Sequence, residues 1–225
     1  MTVESSMRDS GISRVAPEIQ RVAVLGCGQL GSEWIQLCLA AELHVTAVKL
    51  LPGPIEDTER RLRARGAEHL ARGACLTVTR AMNDLAIAHL VIEAAAESVR
   101  IKQNVLAEAE TCAASDIAFA TTTGSLRVSE IAEALASDKR LIGLHWCNPL
   151  ADGNLVELAA TRGTSTATLD AAQALCARVG KTPILTFDHP GFIVNQLVVS
   201  HILHAIELVE RGTAGIEEID RAMTL

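Results

Sequence analysis

The run Arg21-Val-Ala-Val-Leu-Gly26 turns at once through Gly26-Cys27-Gly28-Gln29-Leu30-Gly31 into a stretch, Leu30 to Ala41, that sets Trp34, Leu37 and Cys38 on one helical face. A buried strand that enters a helix through three glycines admits few folds. Gly26 permits a tight turn, Gly28 lets the backbone approach a pyrophosphate, and Gly31 lets helix and strand pack closely. The N–H groups around Gln29 and Leu30, at the start of the helix, then face phosphate oxygens unpaired. A glycine trio alone is a weak signal; the strand before it and the helix after it strengthen it. The plainer alternative is a structural turn with no ligand.

The rest of the chain extends this pattern. Segments 44–50, 76–79, 89–93, 117–121, 140–145, 155–159 and 183–187 read as strands, and 56–72, 99–113, 128–135 and 168–179 as helices. Strands alternating with helices predict an α/β fold with a parallel, doubly wound sheet of the Rossmann type. Beyond Pro190 the pattern changes to one long apolar helix, 192–211, and the beginning of another, 216–223. The expected division is a disordered, polar extension over 1–18, an NAD(P)-binding domain over 19–188, and over 189–225 the truncated beginning of an all-helical C-terminal domain.

Composition narrows the function. The 225 residues suffice to bury a substantial core. There is no Tyr, with only two Trp and three Phe, so a stacking platform for single-stranded nucleic acid is not expected. A net charge of −7 argues against nucleic-acid or anionic-membrane partners. No apolar run approaches a membrane-spanning length, and the first residues are unlike a signal peptide. The six cysteines form no Cys-x-x-Cys pair, so no metal site is expected, and they fit reduced thiols in a cytoplasmic protein.

The residues that carry chemistry lie later. His145 ends the strand 140–145, where an α/β sheet binds its ligands. Glu157 follows twelve residues on, within Leu155-Val156-Glu157-Leu158, an apolar setting in which an unpaired carboxylate would be costly. An imidazole accepts a proton near neutral pH, and a carboxylate beside it orients the ring and stabilises its charged form. With the glycine turn, the pair suggests dehydrogenation of an alcohol by a base and a nicotinamide. One usual partner is missing. The second strand of a dinucleotide fold commonly ends in an acid that binds the ribose hydroxyls, whereas here Val45-Thr46-Ala47-Val48 leads into Lys49. A lysine cannot accept those hydrogen bonds but can pair with a 2′-phosphate. Lys49 therefore marks NADP, weaker NAD binding, or a solvated strand end. Arg60, Arg61, Arg63, Arg65 and Arg72 either pair with Glu56, Asp57, Glu59 and Glu68 on a solvated face, the favoured reading, or meet the phosphates of a thioester carrier.

From about Gln20 to Met223 the chain resembles the short-chain L-3-hydroxyacyl-CoA dehydrogenases. The likeness is carried by the glycine turn, by Val91-Ile-Glu-Ala-Ala-Ala-Glu97 with Lys102, by Thr121-Thr-Thr-Gly-Ser-Leu126, by Leu144-His-Trp-Cys-Asn-Pro149, by Glu157 and by Pro190-Gly-Phe-Ile-Val-Asn195. The resemblance implies that His145 removes the 3-hydroxyl proton as hydride leaves for the nicotinamide, and that Glu157 orients His145. It implies that Asn195 holds the substrate, that Asn148 sits near the nicotinamide, and that Glu97 and Lys102 border the cofactor. Gly124 stands where the family has a substrate-contacting serine, with Ser125 beside it as a further substrate contact. It also implies a role in fatty acid metabolism, an acyl-CoA or acyl-carrier thioester substrate, and a homodimer formed through the C-terminal helices. Two other readings stay open at this point: a dehydrogenase of a free hydroxy acid, and a catalytically dead nucleotide-binding paralogue.

Overall fold

A computed structural model of the protein describes residues 18–147 and 153–225. The extension expected over 1–18 therefore falls, up to residue 17, outside the described residues, and so does Asn148. Eight strands form one sheet: β1 (Arg21–Leu25), β2 (His44–Val48), β3 (Cys75–Thr79), β4 (Leu90–Glu93), β5 (Ala118–Thr121), β6 (Leu141–Trp146), β7 (Leu155–Ala160) and β8 (Thr182–Phe187), in the spatial order β3-β2-β1-β4-β5-β6-β7-β8. The order reverses at β1, so the glycine turn after β1 lies at the switch point, where such sheets bind nucleotides.

The helices are α1 (Gln29–Ala40), α2 (Ile55–Arg65), α3 (Ala67–Ala71), α4 (Val99–Cys112), α5 (Val128–Ala132), α6 (Thr166–Arg178), α7 (Val194–Glu210) and α8 (Ile216–Thr224). Helices α1 to α6 cover both faces of the sheet, which is why its central strands are continuous apolar runs rather than alternating ones. Trp34, Ile35, Leu39, Trp146, Leu175 and their neighbours form the core on one face. Leu106, Phe119, Ile131, Leu141 and Phe192 belong to the core on the other. Trp34 and Trp146 meet edge to face with ring centroids 4.8 Å apart, tying α1 to β6.

Three local readings of the sequence need correction. The expectation of an all-parallel sheet fails at β7, which runs antiparallel to β6 before β8 resumes parallel to it. Only residues 147–154 join β6 to β7, too few for the crossover of about a dozen or more that a parallel return requires. The helix expected over 56–72 divides at Gly66, whose backbone (φ −97°, ψ 11°) ends α2 and opens α3, and where a Cβ would stand 2.9 Å from the Leu39 side chain. The helix expected from Phe192 begins instead at Val194, because Gly191 (φ 79°) and Phe192 (φ 47°) adopt the left-handed conformation and reverse the chain first.

The C-terminal helices stand apart from both cores. Neither α7 nor α8 buries a residue, and Val198, Val199, Ile202, Leu203 and Ile206 expose an apolar stripe along α7. Among the described residues no helix is long and apolar enough to cross a membrane.

Candidate active site

The antiparallel β6–β7 pair creates the site. Its register sets Glu157 directly opposite His145, so both side chains leave the same face of the sheet. The Glu157 Oε2 lies 2.6 Å from the His145 Nδ1. Glu157 is fully buried and His145 is 9% exposed. The other carboxylate oxygen, Oε1, accepts hydrogen bonds from the backbone N–H groups of Ile193 (2.9 Å) and Val194 (3.0 Å). These groups sit at the start of α7, where the helix dipole favours negative charge. The left-handed turn at Gly191–Phe192 aims that helix end at Glu157. A buried carboxylate is costly unless it is hydrogen-bonded, and this one is bonded on both oxygens.

The arrangement fixes the tautomer of His145. A carboxylate can only accept, so Nδ1 carries the proton and Nε2 presents a lone pair. The amide nitrogen of Asn195, in the first turn of α7, lies 3.4 Å from Nε2 and donates to the Gly124 carbonyl at 3.0 Å. The Phe192 ring packs against the imidazole with centroids 5.6 Å apart. Gly124 lies close beside Nε2: a Cβ there would stand 2.6 Å from Nε2 and 3.1 Å from the Asn195 amide nitrogen. Glu157, Asn195 and Gly124 thus converge on one imidazole, Glu157 at Nδ1 and the other two at Nε2.

The loop carrying Gly124 is held by Glu97. Its Oε1 accepts from the Thr123 hydroxyl (2.6 Å), the Ser125 hydroxyl (2.8 Å) and the backbone N–H groups of Gly124 and Ser125 (3.2 Å each). Burial works to raise the Glu97 carboxyl, but the Thr123 and Ser125 hydrogen bonds, the Lys102 charge and the Gly124 N–H together hold it below the usual carboxylate value. Ser125 therefore sits at the loop but directs its hydroxyl to Glu97. Lys102 is completely buried; its ammonium contacts both oxygens of Glu93 (3.1 and 3.2 Å) and lies 3.5 Å from Glu97. Lys102 thus reaches the site through Glu97 and not as an exposed cation. Glu93 also accepts from the Thr121 hydroxyl and the Ala95 N–H. Removing one member of such a buried pair costs about 3–5 kcal/mol, so the pair anchors the ends of β4 and β5.

The glycine turn lies beside this network. A Cβ on Gly26 (φ 109°) would strike the Ala94 carbonyl at 2.5 Å, and one on Gly31 the Gly26 carbonyl at 2.0 Å. Both positions are closed to any side chain. Gly28 faces open space, and no side chain caps α1. An uncapped helix N-terminus beside an open glycine suits a pyrophosphate group. Lys49 follows β2 and turns its ammonium onto the Leu51 and Pro52 carbonyls (2.7 and 2.8 Å). Arg61, from α2, reaches across to the Cys27 carbonyl (2.7 Å) and the Ser32 hydroxyl (3.0 Å). Burial raises the Cys27 thiol, opposed by the charges of Arg61 and Lys49. Two cations therefore border the turn. The other arginines of this region are mostly paired on the surface, Arg60 with Asp57, Arg63 with Glu59 and Arg72 with Glu68.

The order of contacts runs from the turn to the base: Gly26 against Ala94, the 93–97 segment into Glu97, Glu97 onto the 123–125 loop, and Gly124 against His145. A separate cavity of 680 Å³, lined by residues such as Ile19, His89, Ile117 and Thr168, lies at the opposite, N-terminal ends of the strands and includes none of these residues. Sequence reasoning passed over Glu93, Phe192, the reach of Arg61 and Cys147. Glu93 had a signal, a charge ending the buried run Leu90-Val-Ile-Glu93. Cys147 had none until the register was known: its Sγ lies 3.5 Å from Glu157 Oε2 and 3.9 Å from His145 Nδ1. Burial, the Glu157 charge and the hydrogen bond to Glu157 push its thiol up to about 12.

Comparison with known proteins agrees with this geometry. The family model described as the NAD binding domain of 3-hydroxyacyl-CoA dehydrogenase matches residues 21–189, and that of the C-terminal domain matches residues 191–225. The chain belongs to the 3-hydroxyacyl-CoA dehydrogenase family. It is 34% identical over 224 residues to the mitochondrial hydroxyacyl-coenzyme A dehydrogenase of Mus musculus, covering 92% of this chain and 71% of that protein. It is 33% identical over 218 residues to a 3-hydroxybutyryl-CoA dehydrogenase of Mycobacterium tuberculosis, covering 91% and 76%. The crystal structure of (S)-3-hydroxybutyryl-CoA dehydrogenase PaaH1 from Ralstonia eutropha superposes with a TM-score of 0.84 at 29% identity, over 92% of this chain and 77% of that one. Membership makes this protein an oxidoreductase with a nicotinamide-binding Rossmann domain followed by the start of the family's helical domain.

Proposed function

We propose that the protein interconverts a 3-hydroxyacyl thioester and its 3-oxoacyl counterpart, with coenzyme A as the carrier and His145 as the general base. The observation that carries this reading is the 2.6 Å contact between His145 Nδ1 and Glu157, which leaves Nε2 as a proton acceptor next to the Asn195 amide. In the oxidative direction Nε2 takes the 3-hydroxyl proton, and Glu157 balances the charge of the imidazolium. In reverse, the imidazolium returns that proton to the ketone oxygen. Base catalysis of this kind contributes roughly 10²–10⁴ in rate. Asn195 orients the reacting oxygen, and the Glu97-held loop with Gly124 and Ser125 borders the substrate. A bound nicotinamide dinucleotide supplies the hydride acceptor. Gly26, Gly28, Gln29, Leu30 and Gly31 hold its pyrophosphate, Glu97 and Asn148 border it, and Lys102 supports that border from beneath. Lys49 and Arg61 together favour the 2′-phosphorylated form, because neither can accept hydrogen bonds from ribose hydroxyls and both attract a phosphate.

The division into a cofactor domain ending near 188 and a helical domain beyond it belongs to the same reading. So does a homodimer in which the apolar stripe of α7 meets a second copy, and a place in the cytoplasm, where the six free cysteines stay reduced. The test is the loss of reduced-nicotinamide absorbance when acetoacetyl-CoA is supplied with NADH or NADPH. Turnover with NADPH preferred supports the assignment. No turnover with the thioester, but turnover with free acetoacetate, would overturn the carrier.

A further inference from the structure

The catalytic pair has a third neighbour with no part in the proposed reaction. Cys147 Sγ, His145 Nδ1 and a Glu157 carboxylate oxygen all lie within 4.8 Å of one another. The individual separations are 3.9 Å from sulfur to nitrogen, 3.5 Å from sulfur to oxygen and 2.6 Å from nitrogen to oxygen. A tetrahedral zinc ion with one thiolate, one imidazole and one carboxylate ligand sets those donor atoms about 3.4–3.6 Å apart. Two of the three edges are already close to that, and the third requires His145 and Glu157 to part by less than about 1 Å. Glu157 is free to do so through Oε2 alone, because Oε1 remains on the two backbone N–H groups of α7. Cys147 is half-buried, which gives an ion a way in.

We propose that Cys147, His145 and Glu157 form an inhibitory site for a thiophilic divalent cation of the zinc class, with water as the fourth ligand. Three protein ligands and one open position are an ordinary zinc set, and the thiolate selects zinc over magnesium or calcium. The exchange balances in protons. The ion takes the cysteine sulfur and releases the thiol proton to water. It also takes the lone pair at Nδ1, so the ring proton moves from Nδ1 to Nε2. Nε2 then points a proton, not a lone pair, at the substrate, and the base is switched off. The inhibitory effect rests on His145 being the base; the binding itself does not.

The experiment separates the two. The protein is titrated with Co²⁺, a spectroscopic stand-in for zinc, and thiolate-to-metal absorption is followed in wild type, Cys147→Ala, Cys147→Ser and, as a control for the exposed thiol, Cys75→Ser. One equivalent per chain, displaced by Zn²⁺, present in wild type and Cys75→Ser and absent from both Cys147 variants, is the expected result. In parallel, the ratio of turnover with and without Zn²⁺ is measured within each protein. The Cys147 variants should require at least about tenfold more zinc for half inhibition, having lost the thiolate ligand. No thiolate band in wild type, or a band that survives Cys147→Ser, overturns the site. A Cys147-dependent band without zinc inhibition keeps the site and overturns its inhibitory role.

Discussion

Replacing Gly124 by Ser is the most informative single change, because it restores the residue that the family resemblance places there. Intuition expects a gain of a substrate-binding hydroxyl. The structure argues the opposite. A Cβ at Gly124 stands 2.6 Å from His145 Nε2, and ordinary contact begins at 3.4 Å, so the imidazole must withdraw by about 0.8 Å. It cannot withdraw toward Glu157, where the Nδ1–Oε2 separation is already 2.6 Å, nor freely toward the Phe192 ring. A misplacement near 1 Å in a reacting group costs on the order of 10²-fold in rate. Gly124 does not adopt a left-handed backbone, so a side chain adds no backbone strain and the effect is a packing effect. We expect Gly124→Ser and Gly124→Ala to lower kcat with acetoacetyl-CoA by about 10²-fold alike, with cofactor binding unchanged by fluorescence titration. A Gly124→Ser enzyme as fast as wild type, or faster, while Gly124→Ala is slow, would refute the argument: the ring would have room and the hydroxyl a use.

Other consequences follow from the same geometry. Glu157→Gln keeps shape but must turn an N–H₂ toward Nδ1, which forces the ring proton to Nε2; the comparable change in a serine-protease triad costs about 10⁴ in kcat, and steady-state rates for this variant should fall by a similar order with the fold retained by circular dichroism. Lys49→Asp should move the ratio of kcat/KM values toward NADH, and an unchanged ratio would show that the lysine takes no part in cofactor choice. Glu97 is held below its ordinary value of 4.5 in the folded chain, so it contributes stability above that pH and loses it as pH falls through the lower, folded value. Urea unfolding of wild type and Glu97→Gln at pH 7 and in acid should therefore show a gap that narrows on acidification; a constant gap would contradict the role of the carboxylate.

Much of the fold was legible because its signals are local. The strand–Gly26–Gly28–Gly31–helix unit and the buried runs at β4, β5 and β6 report their own burial through residue type. The failures are all places where distant chain sets the geometry. Gly66, a poor helix former, divides a helix at a place where the Leu39 side chain leaves no room for a Cβ. β7 turns antiparallel because its link to β6 is short, and that reversal is what sets Glu157 across from His145 rather than merely near it. The spacing of twelve residues suggested a pair, but only the register gives a hydrogen bond. Gly124 read as a missing hydroxyl, whereas its contact with Nε2 makes it a space reserved for the imidazole. The resemblance sets Lys102 at the border of the cofactor; its burial against Glu93 is not legible without knowing that β4 and α4 converge. Asn148 is the one site residue outside the described chain, and its role rests on resemblance.

The central claim is that His145, held by Glu157, moves the proton. The direct test is His145→Gln, assayed in the reduced-nicotinamide absorbance band with acetoacetyl-CoA, with cofactor binding measured on the same sample by energy transfer from Trp34 and Trp146. The account predicts bound cofactor and turnover reduced by roughly 10²–10⁴. Turnover equal to wild type, with cofactor bound, would contradict it and place the base elsewhere.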